Sequence, residues 1–89
     1  MNKVDILNFM QDYLVKNTVH KEIAEINSYR VKELLTASID AVDFAMELES
    51  FLGFEEDTFN IVVWVEKFEK FTFEQLAEAL EQMLADLAG

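Results

Sequence analysis

The chain predicts an all-α fold: four helices, with a long connection between the first and the second. Three observations carry that expectation. Two glycines and no proline in 89 residues leave little punctuation for hairpins. Apolar residues recur at three and four positions over long runs, which is the helical period. At 52% apolar residues the chain can bury a core. Its length makes one domain, residues 1–89, since two independent cores need more chain.

Residues 3–16 read as the first helix. Ile6, Leu7, Phe9, Met10, Tyr13 and Leu14 cover one broad side, and Asp5, Asn8, Gln11 and Asp12 lie opposite. Asn2 is the candidate N-cap, Lys16 suits the last turn, and Asn17-Thr18 ends the pattern. Residues 17–37 form the long connection. Within it Val19, Ile23 and Ile26 are spaced for a short helical turn, Asn27-Ser28 breaks the pattern, and Val31, Leu34 and Leu35 fasten the segment to the core.

The stretch from Thr36 to Leu52 organises the rest. Ser38 opens a helix whose apolar positions Ala41, Val42, Ala45, Leu48 and Leu52 share one face. At about 100° per residue, Asp40, Asp43, Glu47 and Ser50 fall on a separate polar arc. Ile39 and Met46 sit at the border, and Glu49 lies near the apolar flank. Gly53 is suited to stop the helix in the left-handed conformation.

Beyond it, Asp57 or Thr58 is the expected cap of a third helix over 59–71. Ile61, Trp64, Val65, Phe68 and Phe71 fit one face of that helix; Phe59 and Val63 do not. The β-branched run Ile61 to Val63 would equally suit a strand, but a lone strand has nothing to pair with. Thr72 and Gln75 make a capping box for the fourth helix. Phe73, Leu76, Ala77, Leu80, Met83, Leu84 and Leu87 line its inner face, with Glu74, Glu78 and Glu81 outside.

Ser38 and Ile39, followed by Asp40, Val42, Asp43, Met46, Leu48, Glu49 and Leu52, resemble the acyl carrier protein family. That family is marked by Asp-Ser-Leu and an amphipathic acidic helix. The resemblance covers roughly residues 3 to 85 and is strongest over 38 to 52. It implies a small four-helix carrier bundle with a short third helix, and the third segment here departs from that by being several residues longer. It also implies covalent attachment of 4′-phosphopantetheine to the Ser38 hydroxyl by a separate phosphopantetheinyl transferase that uses coenzyme A and Mg²⁺. The arm then carries acyl or aminoacyl groups as thioesters for fatty-acid, polyketide or related biosynthesis. Asp40, Asp43, Glu47 and Glu49 would meet basic patches on acyl-loading, acyl-transfer or condensing enzymes, with Ile39 and Met46 as the apolar contact. The family's aspartate before the serine is Ala37 here, a departure that bears on recognition by the transferase.

Composition narrows the field independently. A net charge of −11 argues against nucleic acid and anionic membranes. No Lys or Arg occurs from Glu33 through Glu66, so this stretch would attract basic partners. No cysteine is present, which excludes disulfides, cysteine-bound metal and a thiol of the chain's own. The apolar runs are short and interrupted, and an aspartate enters too early for a signal peptide, so a cytoplasmic monomer is expected. His20 near Glu22 and Glu25 reads as surface rather than a metal site. Trp64, Phe68 and Phe71 read as core or as the seam between the third and fourth helices. With no Gly-rich loop and no coherent Ser-His-Asp set, the chain is not expected to be an enzyme. The alternative is a non-covalent, acidic helical interaction module that is never phosphopantetheinylated; Ala37 is the residue that favours it.

Overall fold

The computed structural model describes residues 2–23, 25–54 and 59–88. These residues form five helices: α1 (Lys3–Asn17), α2 (Val31–Leu34), α3 (Ser38–Leu52), α4 (Ile61–Lys67) and α5 (Phe73–Ala88). The only strand-like feature among them is an isolated antiparallel bridge between Arg30 and Thr72. The fold is therefore all-helical, with one more helix than expected. The extra one, α2, is a single turn inside the long connection. No helix of the described residues is long and apolar enough to cross a membrane.

The first helix begins and ends where its residues direct. The Asp5 N–H donates to Asn2 Oδ1 at 2.9 Å, and Thr18 Oγ1 donates back to the Leu14 carbonyl at 2.6 Å. Ile6, Met10, Tyr13 and Leu14 are buried against a core shared with α5. At the α1–α5 edge the Lys3 ammonium lies 2.8 Å from Glu78 and 3.7 Å from Glu74.

The connection departs from its expected form. Residues 18–23 and 25–26 make no helix, and Val19 is 88% exposed rather than packed. Val31, Leu34 and Leu35 are buried, as expected for the anchoring residues, and Ile26, expected in a helical turn, is buried with them. Backbone bonds to the segment before α5 do the rest. The Val31 N–H donates to the Phe71 carbonyl, Phe73 N–H to Tyr29, Lys32 N–H to Phe68 and Glu74 N–H to Asn27, at 3.0 to 3.3 Å. A loop that satisfies its amides in this way can lie against the core without cost in orphaned polar groups. It delivers the chain to the start of α3 in a fixed position.

Phe44 of α3 is the centre of the core. It is fully buried, and its ring lies 5.0 Å from Tyr13, 5.6 Å from Phe68 and 6.1 Å from Phe73, in tilted and edge-on geometries favoured by aromatic pairs. This corrects the face assigned from spacing. With Phe44 inside and Val42 outside, the inward stripe of α3 turns by about 30° around the axis at ~100° per residue. The ring's larger apolar area decides the rotation.

α4 is shorter than its pattern suggests. Asn60 caps it, accepting from the Val63 N–H at 3.2 Å, and the chain turns at Phe68 through Phe71. Asp57 and Thr58, the expected caps, lie outside the described residues. Ile61 to Val63 are helical rather than a strand. Phe59, ahead of the helix, is buried in a stack between Phe54 and Trp64 at 5.4 and 5.3 Å. Trp64 and Phe68 are core residues, and the Lys67 ammonium sits 4.5 Å over the indole. At α5 the capping box forms as spelled: Gln75 N–H to Thr72 Oγ1 at 3.1 Å and Thr72 N–H to Gln75 Oε1 at 3.0 Å. Leu87, expected on the inner face, is exposed in the last turn.

Candidate functional site

Ser38 is the first residue of α3 rather than its cap. Ala37 occupies the N-cap position with extended backbone (φ −83°, ψ 138°) and has no side chain able to accept a hydrogen bond from the following amides. The helix therefore opens with its first amides free of a side-chain partner, a place where negative charge is favoured. Ser38 is exposed, and its hydroxyl makes no hydrogen bond among the described residues. Asp40 follows in the first turn.

Beside the serine a cleft of about 140 Å³ opens between α3 and α4. Leu35, Ala37, Ser38 and Ala41 line one side and Val65 and Phe68 the other, with Lys32 and Glu69 at the rim. Lys32 Nζ lies 2.9 Å from Glu69 Oε1, and this pairing holds the Glu69 carboxyl below its ordinary range. A cavity near 150 Å³ takes a group about the size of benzene.

The outward face of α3 is built in two strips. Ile39 (77% exposed), Val42 (39%) and Met46 (54%) stand at intervals of three and four residues and form an apolar stripe. Along one side of it run the exposed acids Asp40, Asp43 and Glu47. Glu49, half-buried, flanks the stripe on the other side, about three turns along the helix from Ser38. Ile39, Asp43, Met46 and Glu47 thus share the outward surface, with Asp40 at one margin and Glu49 at the other, about half a turn apart around the axis. Val42 joins them, having been assigned to the core; the only signal for it was its position between Ile39 and Met46.

Tyr13 is the residue that sequence reasoning placed only in the core. Its ring is buried, but its hydroxyl donates to Asp43 Oδ2 at 2.6 Å, linking α1 to the acidic strip. Burial first, then the bond to Asp43 and the charges of Asp43, Asp40 and Glu47, push the phenol well above its ordinary pKa of 10.0. A tyrosine rather than a phenylalanine on an apolar face was the available clue, because a buried hydroxyl needs a partner.

His20 lies half-buried with Nε2 3.2 Å from the Leu34 carbonyl oxygen. Among the described residues no three His, Asp or Glu side chains gather as metal ligands. Gly53 ends α3 at φ 74°, its N–H reaching the Glu49 and Ser50 carbonyls. No protein-family model, curated protein or solved structure matches this chain.

Proposed function

We propose that the protein is an acyl-carrier-type domain in which α1, α3, α4 and α5 form the carrier bundle and Ser38 accepts 4′-phosphopantetheine. The observation that carries this reading is the pairing of a free, exposed hydroxyl at an uncapped helix start with an apolar stripe edged by acids on the same helix. A phosphodiester there faces unpartnered amides and the positive end of the helix dipole. The arm would supply the thiol that the chain lacks and hold acyl or aminoacyl groups as thioesters; the domain itself catalyses nothing.

Ile39, Val42 and Met46 would desolvate the centre of a docking contact while Asp40, Asp43, Glu47 and Glu49 meet Lys and Arg of the transferase and of acyl-transfer enzymes. The cleft beside Ser38 suits a short acyl end; a long chain requires α3 and α4 to part.

The test is intact-mass measurement after incubation with coenzyme A, Mg²⁺ and a broad-specificity phosphopantetheinyl transferase. One added phosphopantetheine in the wild type, absent in Ser38→Ala, supports the carrier. Ala37 favours a second reading, a non-covalent module that docks basic partners through the same face. Failure of both the wild type and Ala37→Asp to load with several transferases selects that module.

A further inference from the structure

Asp43 is exposed on the outward face of α3, yet its carboxylate is held from the inside. Tyr13, only 6% exposed on α1, packs its ring on Phe44 and sends its hydroxyl out to Asp43 Oδ2 at 2.6 Å. That length is typical of a hydroxyl bonded to a carboxylate. A carboxylate has about four lone-pair sites, so one bond from Tyr13 leaves the others open to a second donor. We propose that Tyr13 is a positioning residue for the docking face: by fixing the Asp43 carboxylate, it prepares that acid to meet a cationic side chain of a basic helical partner. This rests on α3 being the docking face, whether or not Ser38 is loaded.

The physical argument concerns what binding must order. A surface acid free to sample rotamers loses that freedom when a cation captures it, and the loss weakens binding. The bond from the buried Tyr13 restricts Asp43 before any partner arrives. The neighbouring acids Asp40 and Glu47 have no hydrogen bond of this kind among the described residues, so Asp43 is the one acid of the strip tied to a core side chain. The raised phenol keeps Tyr13 a donor well past neutral pH.

A double-mutant cycle tests this with the full chain and a fluorescein-labelled amphipathic Lys/Leu helical peptide, read by fluorescence anisotropy. Tyr13→Phe retains the ring on Phe44 and is expected to raise the peptide Kd about threefold. Asp43→Asn weakens binding by itself, and in that background Tyr13→Phe should change nothing further. If the bond serves only to tie α1 to α3, Tyr13→Phe lowers the melting temperature and leaves the Kd where it was. That result overturns the proposal, as do additive effects of the two substitutions or no peptide binding by the wild type. The carrier reading stands apart: an unloaded Ser38 with the cycle intact removes the carrier alone, and a loaded Ser38 with the coupling absent removes the role of Tyr13 alone.

Discussion

The starts of the helices longer than one turn are of two kinds. α1, α4 and α5 each open on a side chain that accepts from the first turn: Asn2, Asn60 and Thr72, the last reciprocated by Gln75. α3 opens on Ala37, whose side chain can accept nothing, followed by a serine whose hydroxyl is unoccupied among the described residues. An N-cap contributes about 1 kcal/mol. α3 does without that contribution and is held instead by its buried face and by the pinned connection before it. The capped starts satisfy first-turn amides with side chains, and the start of α3 leaves its first amides and the Ser38 hydroxyl without a side-chain partner among the described residues.

The contrast can be broken or sharpened by substitution. The largest effect belongs to the inner face: Phe44→Ala should cost about 3–5 kcal/mol in denaturant unfolding, because three aromatic neighbours lose their partner. Ile39→Ser, one helix face away, should stay within about 0.5 kcal/mol. Next come the caps. Thr72→Ala should cost about 1 kcal/mol and Ala37→Asp should add a comparable amount, seen as opposite shifts in the denaturation midpoint. Ser38→Ala, which removes no cap, should be neutral to slightly stabilising, since alanine is the better helix former.

The pH dependence is smaller. Tyr13 holds its proton more tightly folded than unfolded, so its contribution is complete below the ordinary value of 10.0 and is lost as pH rises towards the raised folded value. Unfolding midpoints of the wild type measured above pH 10 should fall more steeply than those of Tyr13→Phe. Least visible in the folded state is Asp43→Lys with Glu47→Lys. The helical circular dichroism should be unchanged while affinity for basic partners drops; unchanged affinity would place the docking surface elsewhere.

What could be read from the residues alone follows the range of the interactions. Asn2, Gly53 and the Thr72–Gln75 pair act within one turn, and each does in the structure what its type suggests. The inward positions of α1 and nearly all of those of α5 were legible for the same reason, since the helical period is local. The rotation of α3 was not, because whether Phe44 or Val42 faces inward depends on Phe68 and Phe73, which come much later in the chain. The bridge between Arg30 and Thr72 and the early stop of α4 likewise arise from backbone groups that no side-chain pattern announces. At the candidate site, Ser38 and the acids were visible as types at helical spacing. Ala37 as the capping residue, Val42 on the stripe and the bond from Tyr13 to Asp43 required coordinates.

The central claim is that the uncapped start of α3 is an attachment point. Its most direct test is tandem mass spectrometry of the peptide containing residues 33–66, the stretch without Lys or Arg, after treatment with coenzyme A and transferase. The expected result is a single phosphopantetheine localised to Ser38. An unmodified peptide from both the wild type and Ala37→Asp, or a modification at any other hydroxyl, would contradict it.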